Sequence, residues 1–166
     1  MLRKMIFVCV AVLVVAGLAA AQTPITGTTK CGKADIMQKV DIPDRPGHAY
    51  VISQVKCTDS KPFDFGAFKA KDGVSTITDE VTGDSSRTRG YYVETLSTGD
   101  KMHYSFEGTS TMKAGALVSS QIKWTILRGT GKAAGMKGSG SCKGTGTPDG
   151  GVNWECTGSY TAGVAK

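Results

Sequence analysis

Apolar and polar residues alternate with a period of two along most of the chain, the spacing of strands that bury one face and wet the other. The densest case runs from Gln121 to Tyr160. Ile122, Trp124 and Ile126 fall on one face, with Lys123 and Thr125 on the other. Gly129-Thr130-Gly131 turns the chain, Met136, Gly138, Gly140 and Cys142 share the next face, and Val152, Trp154, Cys156, Gly158 and Tyr160 share the return strand's face. Upstream, Ile36 to Ile42 and Ala49 to Cys57 flank a proline-rich turn, and Gly73 to Val81 sets Val74, Thr76 and Thr78 against Ser75, Ile77 and Asp79. Phe63 to Phe68 reads as a short strand or a loop, and Gly83 to Arg89 as a polar, mobile loop.

Tyr91 to Thr111 reads as a hairpin with Gly99-Asp100 at the centre of a two-residue type II′ turn, which places Thr98 opposite Lys101 and Tyr104 opposite Thr95. Tyr91, Val93, Met102, Tyr104 and Phe106 then form the more apolar set, expected to face the interior. Tyr92, Glu94, Leu96, His103, Ser105 and Glu107 form the other. No long stretch after residue 21 repeats apolar residues at helical spacing; the best helical segment, Met112 to Val118, is short and broken by Gly115. The chain is therefore expected to be all-β, a small antiparallel barrel of about eight strands, with a β-sandwich as the alternative.

The run Trp124-Thr125-Ile126-Leu127-Arg128-Gly129-Thr130-Gly131-Lys132, followed by Gly135-Met136-Lys137-Gly138-Ser139-Gly140, resembles the strand, glycine-rich turn and strand of the allene oxide cyclase and dirigent barrel proteins. The resemblance covers about forty residues. Arg128 stands where those proteins often have the first glycine of the turn, and their catalytic positions have no counterpart here. The resemblance implies a barrel and does not transfer cyclase chemistry.

Residues 1–21 have the pattern of an export signal: Arg3 and Lys4, an apolar core from Met5 to Gly17, and Ala19-Ala20-Ala21 before a cut at Gln22. Residues 22–166 then form one domain, with no stable membrane insertion expected after cleavage. The formal charge of +6 falls to +4 without the signal. The bases are scattered, so no stripe for a nucleic acid can be traced. Four cysteines remain after the cut. Cys142 and Cys156 are equidistant from Asp149 in a Pro148-Asp149-Gly150-Gly151 turn, and Cys31 and Cys57 are equidistant from Asp44, so the expected disulfides are Cys31–Cys57 and Cys142–Cys156 in an oxidising, secreted or periplasmic compartment.

Chemistry-bearing motifs are sparse. Gly129-Thr130-Gly131-Lys132 lacks the earlier glycine and the hydroxyl residue of a phosphate loop, and no helix follows to make it a dinucleotide site. His103 could join Glu94, Glu107 and Tyr92 in an acid–base group if their shared face were interior, but the exterior reading is preferred because the apolar set competes for the inside. His48 sits beside a turn with no partner visible in the sequence. No metal cluster and no cofactor are expected. The candidate pocket residues are the aromatics Tyr91, Tyr104, Phe106, Trp124, Trp154 and Tyr160, with Arg89 and Arg128 at the mouth.

Two functional readings follow from these residues. The first is a secreted, disulfide-clamped, non-catalytic barrel that binds a small apolar or amphipathic ligand or acts at the cell envelope. The second, suggested by the resemblance, is an isomerase or cyclase, marked by an ionisable residue such as Glu94, Glu107 or Arg89 inside a cavity. A purely structural or partner-binding barrel would instead show an exposed apolar patch.

Overall fold

The computed structural model describes residues 22–163, so the export signal expected over residues 1–21 lies outside the described residues. Nine strands form one antiparallel sheet: β1 (Thr23–Cys31), β2 (Ile36–Asp41), β3 (His48–Lys61), β4 (Ala70–Thr82), β5 (Ser85–Leu96), β6 (Lys101–Lys113), β7 (Ala116–Gly129), β8 (Lys137–Gly146) and β9 (Val152–Thr161). β3 to β8 each pair with the next strand, β9 pairs with β1, and β1 pairs with the end of β3, closing an eight-stranded barrel. The remaining strand, β2, lies along the first half of β3 and extends the wall at one end. A single 3-10 turn at Gly131–Ala133 is the only helical element among the described residues.

One edge of β3 serves two partners. Cys31 ends β1 opposite Cys57, and the Gly32 and Asp35 amides then donate to the Lys56 and Gln54 carbonyls as the chain moves along that edge into β2. The Cys31–Cys57 disulfide therefore staples the closing seam between β1 and β3, and does not belong to the hairpin that follows it. Cys142–Cys156 joins directly opposed residues of β8 and β9.

Inward faces follow the alternation wherever the sequence placed bulk beside glycine. Ile126, Trp124 and Ile122 of β7 point in, and the Trp124 indole lies over β8 and β9 where Gly140 and Gly158 leave room for it. A Cβ on Gly140 would sit 2.5 Å from Trp124 Cζ2. One end of the barrel is filled by Ile25, Leu96, Met102, Ile126, Met136 and Tyr160, with Phe65 and Phe68 as a plug. The plug is a loop, not a strand: Asp64 accepts the Gly66 amide at 2.9 Å, Gly66 has φ +79°, and an isolated bridge joins Asp64 to Lys69.

Three local expectations are corrected. The β5–β6 connection is a three-residue loop, Ser97-Thr98-Gly99, with the Gly99 amide bonded to the Leu96 carbonyl and the Leu96 amide to the Asp100 carbonyl. Tyr92 therefore lies opposite Tyr104, not Thr95 opposite Tyr104. Either turn needs positive φ at residue 99, here +86°, so the glycine could not distinguish them. The shift turns β5 over: Tyr92, Glu94 and Leu96 face in, with Met102, Tyr104 and Phe106, while Tyr91 is 62% exposed. Gly83 to Arg89 is mostly strand, because Ser86 and Thr88 point into a polar part of the interior. Met112 to Val118 is a tight β6–β7 turn at Ala114 and Gly115, with φ of +50° and +78°.

Candidate functional site

The end opposite the Phe65–Phe68 plug is open, and below its rim lies a blind cavity of about 820 Å³. Its walls follow from the inward positions of successive strands: Ala49, Val51, Ser53 and Val55 from β3, Ser75, Ile77 and Asp79 from β4, and Tyr92 and Glu94 from β5. Phe106, Ser110 and Met112 of β6, Ile122 and Trp124 of β7, and Trp154 of β9 complete the ring, with both disulfides facing the same space. Most of this surface is hydrocarbon, aromatic carbon or sulfur.

Two polar stations interrupt it. At the base, Glu94 is 2% exposed and accepts a 2.6 Å hydrogen bond from Tyr104 Oη. Burial pushes the Glu94 carboxyl up to about 8, against the lowering effect of that bond, with the Asp59 charge adding to the rise. The same burial raises the Tyr104 and Tyr92 hydroxyls well above the ordinary tyrosine range. Tyr92 fits because Gly73 on β4 has no side chain; a Cβ there would meet the ring at 2.5 Å. Tyr92 Oη, Trp124 Nε1 and Asp59 Oδ2 have no hydrogen-bond partner among the described residues, so this base holds unspent hydrogen-bonding capacity.

The second station lies nearer the mouth. Asp79 Oδ1 accepts from Thr88 Oγ1 at 2.5 Å and from Ser86 Oγ at 3.2 Å. Hydroxyl contacts continue from Thr88 to Ser110 (3.0 Å), and Ser110 donates to Ser120 (2.9 Å), which donates to the Thr109 carbonyl (3.3 Å). Burial raises the Asp79 carboxyl, opposed by the hydrogen bonds from Thr88 and Ser86.

Of the residues singled out in the sequence, Tyr104, Phe106, Trp124 and Trp154 line the cavity together. Tyr160 is buried in the floor against Phe65, ring centroids 5.2 Å apart, below the open space. Tyr91, Arg89 and Arg128 are on the outside. Arg89 borders a shallow outer groove with Arg87, Glu107, Lys123 and Lys143. Arg128 lies opposite His103 on the outer face, where burial first, and then the charges of Arg128 and Lys101, lower the His103 pKa. The His103–Glu107 pair and the Glu94–Tyr92 pair are thus on opposite sides of the wall, and no shared acid–base group forms. Sequence reading missed Asp79 and Tyr92 as pocket residues. Their signal was present as period-two spacing with Ser75 and Glu94, but it could not be assigned to the inside without the strand register.

His48, whose partners could not be read along the chain, is buried at the rim, with Nδ1 2.6 Å from Asp44 Oδ1 and Nε2 3.3 Å from Glu80 Oε1. It ties the proline-rich turn to β4. The Gly129–Ala133 turn is filled from within the chain: Asp100 Oδ2 accepts the Lys132 amide at 3.1 Å, and Thr130 Oγ1 accepts the Lys101 amide at 2.8 Å. Among the described residues no group of three or more His, Cys, Asp or Glu side chains is placed to hold a metal, and no helix is long and apolar enough to cross a membrane. The outer face does carry exposed apolar residues on β2 and β3: Ile36, Val40, Tyr50 and Ile52, while the exposed Met37 is on the cavity side of β2.

No protein-family model matches the chain, and no curated protein matches it. Solved structures similar to it include the following two. One is a pterocarpan synthase dirigent protein, at 14% identity and a TM-score of 0.49, covering 95% of this chain and 99% of that one. The other is a protein of unknown function from the DUF3224 family of Shewanella oneidensis MR-1, at 13% identity and a TM-score of 0.48, covering 87% of this chain and all of that one. A dirigent protein is thus among the structures that this disulfide-bonded barrel is similar to.

Proposed function

We propose that the protein is an exported, non-catalytic binder of one small apolar or amphipathic molecule, held inside the barrel. The observation that carries this reading is the blind, largely apolar cavity of about 820 Å³, a size in the range of small-molecule sites. Two disulfides, which persist in oxidising compartments, support an extracellular or periplasmic setting. The test is native mass spectrometry of protein purified from its own medium or envelope, alongside Ile77→Trp, which places an indole in the cavity. The expected result is a reproducible added mass on the native protein that the variant lacks. An added mass on neither, with no small apolar probe bound by the unliganded protein, would overturn the reading.

One observation favours a second reading, an isomerase or cyclase. Glu94 is an acid held in its protonated form at neutral pH at the base of a cavity, next to the Tyr104 hydroxyl, an arrangement suited to donating a proton to a bound carbonyl or ether oxygen. Conversion of the ligand recovered from the barrel, abolished in Glu94→Gln while binding persists, would establish this alternative. An unchanged ligand in both proteins would leave the binder.

A further inference from the structure

Charge is distributed unevenly through the wall. The chain is net positive, but Arg87, Arg89, Lys123 and Lys143 border the outer groove, and among the described residues the only basic one lining the cavity is Lys39, at the mouth on β2 and 2.7 Å from Asp41. Inside, Asp79 makes no ion pair among the described residues; Lys39, level with it across Val51, is paired with Asp41. Both hydrogen bonds it receives go to Oδ1, and among the described residues no hydrogen bond or ion pair reaches Oδ2. Asp79 is only partly exposed and lines the cavity. A carboxylate partly withdrawn from water gains from a cationic partner, because part of its hydration is already lost. This one is held in one orientation by Thr88 and Ser86, with its second oxygen open to the cavity.

The position of Asp79 along the barrel axis matters as much as its charge. Thr88, its partner across β4 and β5, is six residues from Glu94 on the same strand, about 20 Å of extended chain. Asp79 and the Ser86, Thr88, Ser110 and Ser120 hydroxyls therefore ring the cavity near its mouth, and the aromatic space around Tyr92, Phe106 and Trp124 lies beneath. An occupant with one polar end and one hydrocarbon end fits this gradient in a single direction, tail down and head at the ring.

We infer that the cavity takes a cationic amphiphile, an alkyl or arylalkyl molecule with a protonated amine head that Asp79 receives at the hydroxyl ring. An ammonium head supplies the donors that Asp79 Oδ2 lacks, and the ring hydroxyls provide further acceptors. In a partly desolvated site this pairing is screened far less than the basic residues outside. An anionic head at the same level would meet the carboxylate, and a neutral alcohol would gain only an uncharged hydrogen bond. This inference rests on the cavity-binding reading and specifies the class of ligand.

The test uses the mature disulfide-bonded protein and three probes of one chain length: decylamine, which is protonated at neutral pH, 1-decanol and decanoate. Binding is followed by the fluorescence of Trp124 and Trp154 and checked by calorimetry. Decylammonium is expected to bind about tenfold more tightly than decanol, and decanoate more weakly than either. Asp79→Asn, which keeps the shape and the acceptor for Thr88, is expected to bring decylammonium and decanol to within about twofold by weakening the amine alone. If the Asn variant does not fold, Thr88→Val, which releases the carboxylate from its orientation, is expected to narrow the same preference. Equal binding of the three probes, or an amine preference that survives in a folded variant, overturns the amine assignment while leaving the cavity reading intact. No binding by any probe overturns both.

Discussion

Glu94 shows how much one side chain depends on its surroundings. Its folded pKa of about 8 lies above the 4.5 of an unperturbed glutamate, so between those values the folded chain holds a proton that the unfolded chain has released. The associated stability is fully present below about pH 4.5 and is lost as pH rises through about 8. Thermal melts of the wild type from pH 5 to pH 8.5 are expected to show a falling Tm, and Glu94→Gln, which cannot ionise, is expected to show a shallower fall. Parallel curves would place the slope elsewhere, for example in Asp59 and Asp79, both also raised by burial. Trp124 depends on what its neighbours lack. Gly140→Ala puts a methyl group into the indole and into the Thr157 carbonyl, so a loss of about 1–3 kcal/mol in denaturant unfolding is expected.

Among the elements, the connections and clamps decide which face of each strand is inside. The Ser97-Thr98-Gly99 loop differs from a two-residue turn by an odd register shift, and that alone exchanges Tyr91 for Tyr92 and places Glu94 in the cavity. Each disulfide closes a short loop, with separations of 26 and 14 residues, and in the chain-entropy account each contributes about 3 kcal/mol. Reduction is expected to lower the Tm. Replacing Cys31 and Cys57 together by serine should cost at least as much as replacing Cys142 and Cys156, because the first bridge closes the longer loop and holds the β1–β3 seam. A smaller loss at the seam, in denaturant titrations of the two double variants, would contradict that ranking. The strands of the second bridge were readable in advance, since β8 and β9 form a simple hairpin. The first bridge was paired correctly, but its partner strand, β1, was not the one flanking the proline-rich turn.

For the whole molecule, closure and incomplete filling are the relevant properties. Pairing β1 with β3 removes two open edges, and β2 retains the exposed one. The aromatic plug fills one end, while serines, threonine and small aliphatics at the inward positions of β3 to β7 leave the other hollow. A ligand that enters this space binds the folded chain alone. At a hundredfold excess over its Kd it should stabilise the fold by about 2.7 kcal/mol, and the Tm rise should be missing from Ile77→Trp. An equal rise in that variant would mean that the ligand binds outside the barrel.

The sequence by itself determined the elements and their chemistry: period-two alternation made strands, paired spacing made the two disulfides, and glycines opposite Trp124 and Trp154 marked the crowded faces of β8 and β9. These are local properties, set by one strand or one hairpin. Only the tertiary structure decided that Glu94, Asp79 and Tyr92 face inward while Tyr91, Arg89 and Arg128 face out. Inside and outside differ by a single residue of register, and closure of the barrel chooses between them. The hollow was likewise invisible along the chain, since an unfilled volume depends on the sum of side chains from every strand around it.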